Sequence, residues 1–162
     1  MFANYLKNGK HCTQWKQNIP KNLYCIFVSE TYEVLDCYKY DSGMTDYTDI
    51  WVSSLYLSRD GDYTTIKENP IGTTALCTLT NIPLTDYRIE VDVFQVDGTS
   101  DEWCVSVLGE DYSSIGSANS KLNDWKHISL DITNASLNSK VRLNTGGTCT
   151  ELRFKNFKLY PI

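Results

Sequence analysis

The chain has 162 residues, 41% of them hydrophobic and 22% charged, which is the composition of one ordinary globular domain. A domain of that length buries about 70% of the surface its unfolded chain exposes, so its core needs neither a metal nor a disulfide. A net charge of −5 argues against nucleic acid as a partner, and no apolar run is long enough for membrane insertion.

The first 30 residues are basic, with Lys7, Lys10, Lys16 and Lys21, and they alternate weakly before the apolar run at 23–28. They read either as an N-terminal appendage or attachment segment, residues 1–30, or as one or two ordinary strands. The start lacks an apolar stretch followed by a small-residue cleavage site, so synthesis in the cytoplasm without a signal peptide is expected. From residue 33 the predicted strands follow at short intervals: 33–38, 48–57, 63–67, 73–80, 87–96, 102–108, 112–116, 125–132, 140–144 and 151–160. Asp41-Ser-Gly43, Arg59-Asp-Gly61, Asn69-Pro70, Asp97-Gly98, Asn119-Ser120 and Gly146-Gly147 punctuate them. Residues 31–162 are therefore all-β, an antiparallel sandwich or barrel.

Alternation assigns faces. Ile89, Val91 and Val93 oppose Arg88, Glu90, Asp92 and Phe94; Ile128, Leu130 and Ile132 oppose Trp125, His127, Ser129 and Asp131; Val141 and Leu143 oppose Lys140, Arg142 and Asn144. In the last strand Leu152 and Phe154 are out of phase with Phe157 and Leu159, so a bulge near Lys155-Asn156 is expected. Trp103 alternates with Val105 and Val107 and is assigned to the core. The six cysteines lack C-x-x-C spacing and are expected to be reduced thiols. The acids Asp41, Asp46, Asp49, Asp60 and Asp62 do not match a calcium-loop spacing; Asp60-Gly61 reads as turn chemistry.

Three stretches carry a family resemblance: Tyr87-Arg-Ile-Glu-Val-Asp-Val-Phe94, Trp125-Lys-His-Ile-Ser-Leu-Asp-Ile132 and Leu152-Arg-Phe-Lys-Asn-Phe-Lys-Leu-Tyr160. Together they resemble the two-sheet jelly-roll sandwich of carbohydrate-binding modules and concanavalin-like lectin domains. Val34-Leu-Asp-Cys-Tyr38 and Tyr47-Thr-Asp-Ile-Trp51 resemble the opening of such domains in phage and archaeal-virus adhesion proteins. The resemblance spans about residues 33–162 and implies glycan binding. It also implies a structural Ca²⁺ held by an acid near the first strand and an Asp in the last. Asp36 occupies the first place, and Asn156 stands where the last-strand Asp is usual. No other cofactor is implied.

Sugar rings stack their C–H faces on aromatic planes while polar side chains take the hydroxyls. The candidate ligand-binding set is Trp125, His127, Arg88, Glu90, Arg142 and Asn144 on one outer sheet face, with Tyr112 from a loop. Enzymatic readings are weaker. His127, Ser129 and Asp131 are two apart on one strand, about 6.5–7 Å between neighbours, beyond hydrogen-bond reach. Asp101-Glu102 and Glu110-Asp111 point to opposite faces. The expected function is non-catalytic glycan binding for host-surface adhesion, on a virion tail or baseplate. Its partners would be a cell-surface polysaccharide, other virion proteins and copies of itself, in an oligomer such as a trimer. The alternatives are a structural virion decoration or tail protein and a polysaccharide-degrading enzyme.

Overall fold

Thirteen strands and no helix make up the part of the chain described by a computed structural model, which covers residues 2–7, 10–15, 23–28, 34–50, 57–67 and 75–162. Side chains are described for 38–50, 57–67 and 77–162. The strands are β1 (Phe2–Lys7), β2 (Lys10–Trp15), β3 (Leu23–Val28), β4 (Val34–Lys39), β5 (Leu57–Asp60), β6 (Tyr63–Lys67), β7 (Ala75–Ile82), β8 (Tyr87–Gln95), β9 (Trp103–Leu108), β10 (Ser114–Asn119), β11 (Trp125–Ile132), β12 (Ser139–Asn144) and β13 (Glu151–Pro161). They form two sheets. Sheet 1 runs β4-β7-β12-β9-β10, with β3, β2 and β1 continuing beyond β4, and sheet 2 runs β11-β8-β13-β6-β5. All pairings are antiparallel except β4 with β7. This is a jelly-roll β-sandwich. The expected strand at 48–57 falls largely on residues 51–56, outside the described residues.

The core lies between the apolar faces. Sheet 2 contributes Ile89, Val91, Val93, Ile128, Leu152, Phe154, Phe157 and Leu159; sheet 1 contributes Leu79, Val105, Val107, Val141 and Leu143. Burying each such side chain stabilises the fold by roughly 1.5–3 kcal/mol. Leu130, expected in the core, is only partly buried, as suits its place on β11, the edge strand of sheet 2. Cys104 and Cys149 are buried free thiols, and Cys77 is buried as well. Burial pushes the thiols of Cys104 and Cys149 up to about 12, which leaves them inert. Cys12, Cys25 and Cys37 lie outside the described side chains. At the β5–β6 hairpin Gly61 adopts φ 59°, so Asp60-Gly61 serves as a turn.

The bulge in β13 is where the phase slip places it. Pairing with β8 shifts between Lys155 and Lys158, and Asn156 sits at φ 53°. The bulge returns Phe157 and Leu159 to the core and redirects the strand. Before it β13 pairs with β6; after it the Tyr47 N–H donates to the Phe157 carbonyl at 2.8 Å and the Leu159 N–H to the Thr45 carbonyl at 2.9 Å. Asn156→Val is expected to lower stability by about 1–2 kcal/mol, because a β-branched residue is strained at positive φ. Asn156→Gly, which loses the amide but not the conformation, should lose less. Urea unfolding of both variants checks the order, and an Asn156→Val variant as stable as the parent would contradict it.

Trp103 departs from its expected core position: it is 43% exposed. It opens β9 opposite Asn119, where the β9–β10 register shifts, so alternation from Val105 does not carry back to it. Its backbone is tightly packed instead, since a Cβ on Gly146 would lie 2.3 Å from the Trp103 carbonyl oxygen.

Asp97 ties two loops at this end. Its carboxylate accepts the Thr150 N–H at 2.7 Å, the Glu151 N–H at 3.2 Å and the Thr150 hydroxyl. Burial pushes its carboxyl up, but these hydrogen bonds outweigh burial and hold it below the usual carboxylate range. A carboxyl depressed in the folded state stabilises the fold above its unfolded value near 3.9, and the contribution fades as pH falls through the folded value. Asp97→Asn should therefore be less stable than the parent at neutral pH, with the gap closing as pH falls below the unfolded carboxyl value. Melting curves across that range measure it; a gap independent of pH would exclude the ionised carboxylate as the cause.

Candidate functional site

The sequence-derived site residues divide between the two outer faces of the sandwich. Arg88 and Glu90 on β8 and Trp125 and His127 on β11 share the outer face of sheet 2, in cross-strand register. Arg142 and Asn144 lie on β12, which stands between β7 and β9 in sheet 1. They face away from the first group, so a single groove containing all six is corrected to two separate surfaces. Asn144 is also 1% exposed rather than open, with its amide turned to the Trp103 carbonyl at 3.4 Å and its carbonyl to the Ser106 hydroxyl at 3.4 Å.

On sheet 2 the polar groups satisfy one another. The Arg88 guanidinium grips Asp131 at 2.5 and 2.7 Å, and the Tyr160 hydroxyl donates to Glu90 at 2.8 Å. His127 Nδ1 is 2.7 Å from Asp92, whose other oxygen accepts the Asn156 amide N–H at 2.6 Å. Burial raises the Asp92 carboxyl, but the hydrogen bonds from Asn156 and His127 bring it below its ordinary value. With His127 on Asp92 and Asp131 on Arg88, no His–Ser–Asp relay forms. An aromatic patch closes one end of the face. Trp125 is 37% exposed, 5.6 Å from Phe94 and 6.1 Å from Tyr63 between ring centres, with Lys155 Nζ 4.4 Å from its ring centre. Arg153 packs on Tyr63 and Phe94 and bonds Glu151.

The two residues suggested for a cation, Asp36 and Asn156, lie on different sheets. β4, which carries Asp36, belongs to sheet 1 and Asn156 to sheet 2, and the Asn156 amide acts as a donor to Asp92. The Asp36 side chain lies outside those described. Asp46, Asp49 and Asp62 gather with Arg59 and Lys155 around a cleft of about 370 Å³, but Arg59 takes Asp49 at 2.7 Å. Among the described residues no group of three His, Cys, Asp or Glu is placed to hold a metal.

Sheet 1 presents a different surface. One cross-strand row reads Ser117, Ser106, Arg142, Thr78 over β10, β9, β12 and β7. Its opposite side is the apolar row Val107, Val141, Leu79 of the core. Ser106 and Thr78 are buried although they are polar and turned from that core. Two atoms of the row are sealed from solvent without a hydrogen bond, Arg142 Nε and Thr78 Oγ1. Such groups cost about 1–3 kcal/mol each unless something meets them.

Over the row stands Tyr112, in the β9–β10 loop. The loop closes on itself: the Gly109 N–H donates to the Ser113 carbonyl at 2.8 Å, the Tyr112 N–H to the Gly109 carbonyl at 3.1 Å, and Asp111 accepts the Ser113 N–H and hydroxyl at 3.0 and 2.6 Å. Those bonds hold Tyr112 at φ 65°, a sparsely allowed conformation for an aromatic residue, with 60% of the side chain exposed. Lys140 Nζ lies 4.3 Å and the Arg142 guanidinium carbon 5.4 Å from its ring centre.

Arg142, Asn144 and Tyr112 are thus brought together on sheet 1, while Ser106, Thr78, Ser117 and Lys140 were missed by sequence reasoning. Alternation already set Ser106 opposite Val105 and Val107, but nothing marked a serine as more than a surface residue.

No protein-family model matches the chain, and no curated protein sequence matches it significantly. Among solved structures, the N-terminal cellulose-binding domain of Cellulomonas fimi β-1,4-glucanase C is similar at TM-score 0.50 and 10% identity, over 73% of this chain and 88% of that one. A structure described as "CBM4 structure and function" aligns at TM-score 0.49 and 18% identity, over 65% of this chain and 74% of that one. The enzymatically active domain of bacteriophage CBA120 tailspike protein 4 aligns at TM-score 0.45 and 12% identity, over 62% of this chain and 15% of that one. At such identity the likeness to the cellulose-binding domain establishes the shared fold.

Proposed function

We propose that the protein is a non-catalytic glycan-binding module whose site is the outer face of sheet 1. The observation that carries this reading is the pairing of unmet polar capacity with an exposed ring. Arg142, half-buried in the row Ser117–Ser106–Arg142–Thr78, has no carboxylate partner among the described residues, and Tyr112 is held over it in a strained conformation. A sugar needs a flat ring to stack on and side chains free to meet its hydroxyls. Sheet 2 offers rings, but its charged groups already bond one another. The shared fold with a cellulose-binding domain supports the same reading.

The setting is host-surface adhesion on a virus particle, in an oligomer that multiplies weak single sites. It rests on the resemblance of residues 34–38 and 47–51 to the opening of virus adhesion domains. The residues 1–30 are the attachment segment in this reading.

Affinity electrophoresis against a panel of soluble polysaccharides tests the function. Retardation by at least one polymer, with no release of reducing sugar on long incubation, is expected. Migration unaffected by every polymer, or release of sugar, would overturn it.

A further inference from the structure

We infer that the polysaccharide bound on sheet 1 is acidic, and that Arg142 holds its carboxylate or sulfate groups. This rests on the glycan-binding reading above and adds the ligand class. The chain has four arginines. Three have a carboxylate: Arg59 with Asp49 at 2.7 Å, Arg88 with Asp131 at 2.5 Å and Arg153 with Glu151 at 3.0 Å. Arg142 has neither an ion pair nor a hydrogen bond among the described residues, although it is half-buried and its Nε is cut off from water.

A cation drawn out of water without a partner is costly, more so than a neutral group in the same place. The other arginines show that this chain matches guanidinium with carboxylate where a neighbour can supply it. Around Arg142 the neighbours in register are Ser106 and Thr78, both neutral, and the group over it is the Tyr112 ring. Lys140 adds a second positive charge beside that ring. Its Nζ reaches backbone carbonyls, Gly109 at 3.4 Å and Glu110 at 3.2 Å, and forms no salt bridge among the described residues. Asp111, in the adjoining loop, accepts from Ser113, and the Lys140 charge also acts on its carboxylate, so Arg142 is the cation left without an acid.

A guanidinium presents a planar fork that matches a carboxylate or sulfate with two parallel hydrogen bonds. A neutral sugar fits less well, because its hydroxyls donate as well as accept and the row contains no carboxylate to receive them. An acidic residue of the polymer would place its anion on Arg142, rest its ring on Tyr112 and leave the exposed Ser117 at the end of the row for hydroxyls.

The experiment is calorimetric titration with matched polymers: polygalacturonate and its carboxyl-reduced form, and a sulfated galactan and its desulfated form. Binding to the acidic member of at least one pair is expected, at least about tenfold tighter than to its neutral counterpart, and the responding pair tells carboxylate from sulfate. Arg142→Gln should lose a similar factor. Raising salt from about 50 to about 500 mM should weaken the parent more than Arg142→Gln. Equal binding to acidic and neutral members, or a folded Arg142→Gln that binds the acidic polymer unchanged, would overturn the acidic ligand while leaving glycan binding in place. Binding to no member of either pair overturns the acidic ligand, and the wider electrophoresis panel then decides whether glycan binding falls with it. If Arg142→Gln does not fold, the comparison of polymer pairs on the parent protein decides alone.

Discussion

Replacing Gln95 with leucine is expected to destabilise the protein by roughly 3–4 kcal/mol, as large an effect as any single core truncation. Gln95 ends β8 in the core phase of Ile89, Val91 and Val93 and is fully buried. All four of its side-chain bonding positions are used. Its amide donates to the Asp97 and Ser100 carbonyls, both at 2.7 Å, and its carbonyl accepts the Glu102 N–H at 2.9 Å and the Ser120 hydroxyl at 2.5 Å. Leucine fills similar space but orphans two carbonyls and an N–H, while the Ser120 hydroxyl keeps the Glu102 carbonyl at 2.8 Å. The carbonyls lie near the exposed residues 99–101 and can regain water, which keeps the total below the sum of three separate losses. Ser120→Ala removes one member and should cost about 1 kcal/mol. In urea, Gln95→Leu should lower the midpoint with the slope unchanged. A loss under about 1 kcal/mol would mean that the Asp97 clamp, not Gln95, holds residues 97–102.

Gln95 shows what kind of information alternation carries. A polar residue in the core phase of a strand was visible in the sequence, but its four partners come from turns whose approach no period reports. The same limit governs the site. Period-2 patterning placed Arg88, Glu90, Trp125 and His127 correctly on the outer side of their strands, and it located β11 at 125–132 and the β13 bulge at Asn156. It says which side of its own sheet a residue occupies; it does not say which sheet. Arg142 and Asn144 were joined to the Trp125 group because both sets are outward. Strand order, set by long-range pairing of β12 with β7 and β9, puts them on the far side of the sandwich. Trp103 was misassigned for a related reason, since the shift opposite Asn119 interrupts the phase at the strand's first residue. Tyr112 was legible as a loop aromatic, but its positive φ depends on the closure of residues 109–113 and is a property of the folded loop.

That conformation sets up the last prediction, in which stability and binding should move in opposite directions. Tyr112 is held at φ 65°, where glycine is at ease and an L side chain is not. Tyr112→Gly should therefore leave stability unchanged or raise it by up to about 1 kcal/mol, after the lost contacts with Lys140 and Arg142 and the freer unfolded chain are set against the relieved strain. The same change should weaken polysaccharide binding by about 1–3 kcal/mol, the contribution of a stacked aromatic anchor. Trp125→Ala should do the reverse. It removes a ring packed on Phe94, Tyr63 and Lys155, so it should lower stability by about 1–3 kcal/mol. It lies on the other sheet, so affinity should stay within about twofold. Melting curves and titration of both variants against one retarding polymer measure the crossover. If Trp125→Ala abolishes binding and Tyr112→Gly does not, the sugar sits on the aromatic patch of sheet 2, and the unmet groups around Arg142 need another explanation. If Tyr112→Gly is destabilised as well as deficient in binding, the ring supports the loop, and the positive φ is not strain retained for a ligand.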